Sequence, residues 1–285
     1  SNKVYFILFK VSIKMRLLVT PHNLGKWTAH YVAMRINQSN PTVEKPFVLG
    51  LPTGSTPLDM YKELIKLVKA KQLSFANVVT FNMDEYVGLA KDHPESYHYY
   101  MWTNFFNHID IKPEHVHILD GNAVDYDLEC AKYEEAIKKF GGIDIQLGGV
   151  GENGHLAFNE PWSSFASTTR SKDLDMSTVI ANSRFFDNDI SKTPKFALTV
   201  GIDTVMQARE VIIMAKGLAK ADPVYQAIEG AISSMYPITA LQYHKKALIL
   251  CDELASYDLK VKTVKYFATM NDNYSIHEKF MTTLG

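Results

Sequence analysis

The stretch from Leu147 to Pro161 reads LGGVGENGHLAFNEP and sets His155 on a glycine-rich turn, with Glu160 following closely. Two chemistries use such a turn. Gly149-Val150-Gly151-Glu152-Asn153-Gly154 matches the glycine spacing of a dinucleotide-binding loop and follows an apolar run. That loop should flow into a long helix, and Pro161 arrives too soon for one. The other chemistry is proton transfer, with Glu160 orienting and polarising the His155 imidazole. Taken alone, His155 is equally readable as a hydrogen-bonded structural histidine.

Two further turns carry groups of the right kind. GLPTGSTP, residues 50–57, follows an apolar run and precedes a helical pattern. Its hydroxyls, glycine and helix-start amides suit a phosphate. It lacks the Gly-Lys-Ser/Thr ending of a Walker loop, and an ordinary strand–helix turn with a capping Ser or Thr explains it as well. FNMDEYVGL places Asp84 and Glu85 directly after another apolar run. Adjacent carboxylates on extended chain point to opposite sides, so at most one faces a site.

The elements that must hold these turns are legible as periodicities. PFVLGLP, NVVTFNM, IDIQLGGV, KFALTVG, EVIIMAKG and KALILCD are compact apolar runs of strand length. Between them, TPLDMYKELIKLVKA, LECAKYEEAIKKF and ADPVYQAIEGAI have helical spacing. The alternation predicts an α/β fold: a doubly wound, mostly parallel central sheet with helices on both faces, Rossmann-like. Ligands of such sheets sit at the carboxyl ends of strands, where the three turns fall. The aromatic-rich HPESYHYYMWTNFF reads as a packed helix. His115 and His117 are placed to share a strand face but lack a third ligand, so no metal site is expected. Lys246, Lys262 and Lys265 read as surface charges.

With 30 basic and 31 acidic residues the net charge is −1 and no basic stripe is visible, which argues against nucleic acid and anionic membranes as partners. Cys130 and Cys251 fit no metal spacing and read as reduced thiols in a cytoplasmic protein. Residues 1–14 read as a tag remnant plus an N-terminal extension, with Met15 as a natural start. Residues 15–285 carry no linker or repeat and read as a single domain.

Taken in order, GLPTGSTP, FNMDEYVGL, GENGHLAFNEP, ANSRFFD and KTVKYF resemble the glucosamine-6-phosphate deaminase (isomerase) family, from Met15 to about Phe267. The resemblance implies cofactor-free conversion of glucosamine 6-phosphate and water to fructose 6-phosphate and ammonia, in amino-sugar and N-acetylglucosamine catabolism. It implies that Thr53, Gly54, Ser55 and Thr56, with Arg184 and Lys220, bind the substrate phosphate. Asp84 matches the enolisation base, His155 the residue assisting ring opening, and Glu160 its carboxylate partner. One position departs: many members carry aspartate where this chain has Asn153, which can hydrogen-bond but supplies no charge.

Ser163, Arg170, Lys172 and Tyr266 match the allosteric site that hexameric members use for N-acetylglucosamine 6-phosphate. A homo-oligomer, a hexamer, is therefore expected. A galactosamine-6-phosphate deaminase, a 6-phosphogluconolactonase and a non-catalytic sugar-phosphate sensor stand as alternatives. HLAFNEP and Asp84 favour the deaminase over the lactonase. The short extension has no room for the DNA-binding module a regulator would need.

Overall fold

The computed structural model describes residues 15–270 and 273–284; the expected extension, residues 1–14, lies outside them. Ten strands occur among the described residues: β1 (Arg16–Val19), β2 (Phe47–Leu51), β3 (Val78–Asn82), β4 (Asp84–Tyr86), β5 (Val116–His117), β6 (Ile145–Gly149), β7 (Arg170–Asp173), β8 (Phe196–Thr199), β9 (Val211–Ala215) and β10 (Ala247–Cys251). Seven form a parallel sheet in the order β1-β10-β9-β6-β2-β3-β5.

The apolar runs are continuous because both faces of this sheet are covered. Every residue of β2, β3, β9 and β10 is buried. Alternate residues serve opposite cores: Leu49, Leu51, Ile212 and Met214 enter one, while Val48, Ile213 and Ala215 enter the other. The first core takes Trp27 and Tyr31 from α1 (Leu24–Ser39) and Met60, Tyr61 and Leu64 from α2 (Leu58–Lys69). It also takes Met101 from α3 (Tyr97–Asn104), the helix expected from the aromatic-rich stretch. The second takes Cys130, Tyr133 and Ile137 from α4 (Tyr126–Lys139). Short polar side chains start α1, α3 and α4: Asn23, Ser96 and Asp125 accept from the amides of Lys26, Tyr99 and Leu128. The remaining helices are α5 (Met176–Asn182), α6 (Ile202–Met206), α7 (Ala221–Glu229), α8 (Val261–Ala268) and α9 (Asn273–Leu284).

Several elements differ from the sequence reading. KFALTVG is a strand, β8, but it belongs to a second, antiparallel sheet of order β4-β8-β7 lying apart from the parallel one. An apolar run signals burial and says nothing about which neighbour it pairs with. His115 lies in a 3-10 turn and only His117 is on a strand, where it stacks on Phe81 with ring centres 4.4 Å apart. Lys246 is not a free surface charge: its amine sits 2.8 Å from Glu210, whose side chain is 1% exposed. Beyond Phe267, where the sequence carried no signal, α9 packs Tyr274 and Met281 into the first core, and its Glu278 accepts bonds from Thr20 and the Trp27 indole.

Candidate active site

The strand order reverses at β2. From β2 the chain runs outward to β3 and β5 on one side, then returns to β6, β9 and β10 on the other, where the first strand, β1, already forms the edge. Between β2 and β6 the loops leaving the carboxyl ends diverge, opening the crevice in which doubly wound folds bind ligands. The turn at 52–57 leaves β2, the His155 turn leaves β6, Asp84 follows β3, and Lys220 follows β9. These four strands are adjacent in the order β9-β6-β2-β3.

The β6 loop does not flow into a helix. It closes through a small bridge between Leu156 and Asn159, and the next α-helix is α5. The dinucleotide reading therefore fails on geometry. Gly151 is needed for a different reason: a Cβ there would lie 2.2–2.4 Å from atoms of the His155 ring. The imidazole thus packs flat over bare backbone. His155 Nδ1 stands 3.5 Å from Glu160 Oε2, and Asn153 Nδ2 donates to the same oxygen at 3.1 Å. The side-chain Oδ1 of Asn153 accepts the His155 backbone amide at 3.2 Å. The asparagine that departs from the family pattern is therefore a neutral bridge; an aspartate at this point would bring a second negative charge to Glu160.

Glu160 is 5% exposed. Burial pushes its carboxyl upward, but the nearby His155 ring, together with bonds from Thr178 and Asn153, outweighs burial and holds it below the usual carboxylate range. A carboxylate so held stays ionised beside the imidazole. Ala157 and Trp162, on either side of Glu160 within this loop, have φ of 53° and 66°. Backbone held in that region is strained, and such strain gathers where a loop is shaped for function.

The two carboxylates after β3 separate as alternation requires. Glu85 accepts the amides of Tyr86, Tyr97 and His98, at 2.8, 2.9 and 2.8 Å, and so caps α3. Asp84 has no such partners. Burial, and then the Glu85 charge, raise its carboxyl to about 8.

In the turn at 52–57, Gly54 has φ of 100°, a conformation that side chains rarely adopt, although a Cβ there would meet nothing. Its carbonyl accepts the Tyr100 hydroxyl. Pro57 occupies the N-cap of α2 with no side-chain cap bond, so the hydroxyls of Ser55 and Thr56 are not committed to capping. The expected cations converge from two elements. Lys220 is half-buried in the 3-10 turn before α7, and burial, followed by the nearby Arg184 charge, lowers its amine. Arg184 follows α5 and lies over the Phe185 ring at 4.8 Å.

The expected effector residues are more dispersed. Arg170 and Lys172 alternate along one face of β7, with Arg170 donating to Asn159 Oδ1 at 2.9 Å. Ser163 is buried and donates to the Glu160 carbonyl at 2.7 Å. Tyr266 lies on α8, which packs against β1 at the edge of the parallel sheet. Among the described residues, no cluster of His, Cys, Asp and Glu could hold a metal ion. One site residue gave no sequence signal: Thr178, whose hydroxyl donates to Glu160 Oε1. A threonine on a short helix carries no mark of its tertiary partner.

Fold and site together define a sugar-phosphate enzyme of the doubly wound α/β class. The chain belongs to the family described as glucosamine-6-phosphate isomerases/6-phosphogluconolactonase, whose model matches residues 20–250. It is 60% identical over 262 residues to a protein of Parabacteroides distasonis named glucosamine-6-phosphate deaminase, covering 91% of this chain and 97% of that one. A protein of the same name from Cronobacter sakazakii is 56% identical over 258 residues, covering 90% and 97%. Among solved structures, one described as a monomeric glucosamine-6-phosphate deaminase superposes with a TM-score of 0.80 at 41% identity, covering 86% of this chain and 99% of that chain. A 6-phosphogluconolactonase from Thermotoga maritima superposes at 0.66 with 15% identity, a likeness of fold alone; it covers 84% of this chain and 100% of that one.

Proposed function

We propose that this chain is a glucosamine-6-phosphate deaminase, converting glucosamine 6-phosphate and water to fructose 6-phosphate and ammonia. The observation that carries the mechanism is the division of labour between two acidic groups. Glu160 is held ionised 3.5 Å from His155, while burial and then the Glu85 charge raise the Asp84 carboxyl to about 8, so that its carboxylate is the stronger base. Environments that push titratable groups apart in this way assign one to each proton-transfer role.

In this reading the His155–Glu160 pair moves the proton that opens the pyranose ring. Only the open-chain aldehyde makes the hydrogen on carbon 2 acidic enough to remove. Asp84 takes it and returns it to carbon 1, and a carboxylate made more basic by burial suits so weak an acid. Water then attacks the ketose imine and releases ammonia. The turn at 53–56 receives the phosphate, with Arg184 as a planar fork and Lys220 as a point charge. No cofactor enters these steps.

Identities of 56–60% to proteins named as deaminases, against 15% to a lactonase that shares the fold, support the deaminase over the lactonase. An assay of ammonia release from glucosamine 6-phosphate and its galacto epimer tests the reading. Turnover of the gluco epimer is expected; hydrolysis of 6-phosphogluconolactone without ammonia release from either sugar would overturn it. A site for N-acetylglucosamine 6-phosphate around Ser163, Arg170, Lys172 and Tyr266, a hexameric assembly and a cytoplasmic location in amino-sugar catabolism complete the proposal. Among the described residues no helix is long and apolar enough to cross a membrane.

A further inference from the structure

The two oxygens of the Glu160 carboxylate are held by different parts of the chain. Oε2 faces the β6 loop, where His155 and Asn153 meet it. Oε1 accepts the hydroxyl of Thr178, which reaches across from α5. A threonine within a helix commonly bonds back to the carbonyl one turn earlier. Thr178 instead crosses 18 positions of sequence to a buried carboxylate.

The contact that α5 makes with the rest of the site is narrow. Met176, Ser177, Ile180 and Ala181 are exposed, whereas Thr178 and Val179 are buried. Val179 packs with Tyr86 and Phe158, beside Asp84 and Glu160 in sequence. The helix then continues directly into the 3-10 turn Ser183–Phe185, which carries Arg184. One short helical segment therefore holds a hydroxyl on the carboxylate of the ring-opening pair and, at its other end, a cation assigned to the substrate phosphate.

We propose that Thr178 is a positioning residue: its hydroxyl fixes the Glu160 carboxylate so that Oε2 faces His155, and it links the seating of the 176–185 segment on the substrate phosphate to that orientation. The inference rests on the assignment of Glu160 and His155 to ring opening. Without the hydroxyl, the carboxylate is held from the β6 loop alone, through Asn153, and its placement toward the imidazole loosens. A valine fills the same space and preserves burial, so the effect isolates the hydrogen bond.

The test is steady-state kinetics of Thr178→Val and Thr178→Ser, with urea unfolding to establish that each is folded. Thr178→Val is expected to lower kcat by about ten- to a hundredfold, the loss typical of a hydrogen bond to a charged group, with KM within about threefold of the parent. Thr178→Ser should recover most of kcat. In a Glu160→Ala background, Thr178→Val should cost nothing further, because its target is gone. Unchanged kcat in Thr178→Val, failure of serine to rescue a folded variant, or a multiplied loss in the Glu160→Ala background would each overturn the proposal. A rise in KM alone would overturn it too, since it would place the effect on phosphate binding. If Glu160→Ala itself keeps full turnover, the catalytic reading fails; if it is crippled while Thr178→Val is not, only the role of Thr178 fails.

Discussion

Replacing Asp84 by asparagine should slow turnover severely and stabilise the protein, and the stabilisation should depend on pH in a defined way. The folded protein raises this carboxyl from the ordinary 3.8 to about 8, through burial and then the Glu85 charge. The folded state therefore keeps its proton to higher pH than the unfolded chain does. The group's contribution to stability is intact below about pH 4 and is lost progressively as pH rises toward 8. Each pH unit in that window costs about 1.4 kcal/mol. At pH 7 the accumulated penalty is about 4 kcal/mol, against about 2 kcal/mol at pH 5. Asparagine is nearly isosteric and has no proton to release, so Asp84→Asn removes the pH-dependent part. Urea unfolding of both proteins from pH 5 to pH 8.5 measures it. The variant's advantage should grow by about 2–3 kcal/mol between pH 5 and pH 7 and level off above about pH 8. Its kcat should fall by roughly two to four orders of magnitude, as expected for loss of a general base. A stability difference that is flat across this range would refute the buried, proton-holding Asp84. Near-normal turnover would refute its role as the base.

Three further outcomes are expected. Arg184→Ala and Lys220→Ala should each weaken phosphorylated substrate by about 1–3 kcal/mol and leave inhibition by non-phosphorylated glucosamine almost unchanged; equal losses for both ligands would show the phosphate to be elsewhere. N-acetylglucosamine 6-phosphate should lower the substrate concentration for half-maximal rate, by a coupling of about 1–3 kcal/mol, and Arg170→Ala should erase that response while sparing kcat at saturation. Glu210→Ala should cost about 3–5 kcal/mol in urea unfolding. It strips Arg35 and Lys246 of their shared carboxylate, and Tyr31 and Tyr274 of the oxygen they reach at 2.7 and 2.9 Å; a loss under 1 kcal/mol would show the cluster to be solvent-compensated.

The Glu210 cluster also marks a limit of sequence reading. Lys246 precedes a strand and looks like an ordinary flanking charge, yet burial, and then the neighbouring Arg35, push its amine down to about 8. Its partner lies 36 positions away, and Tyr274 reaches the same carboxylate from a helix that left no motif. The cores were easier to read. Val48, Leu49 and Leu51 announce a strand buried on both faces, and Tyr61 and Leu64 a helix stripe, because those patterns follow from backbone period alone.

The chemical groups of the site are local in sequence and were legible there. His155, Asn153 and Glu160 share one loop, Thr53 to Thr56 share another, and the spacing of each follows from a turn that few residue patterns can make. Tertiary structure decided how those groups are used. Packing of α3 against β4 brought its first amides to Glu85, which caps the helix, and left Asp84 without such partners. Folding of α5 against the β6 loop brought Thr178 to Glu160, and burial made Asp84 basic. Periodicity and turn chemistry act between neighbours along the chain. Desolvation and the far partner of a hydrogen bond depend on which elements pack together, and a linear sequence does not contain that distance.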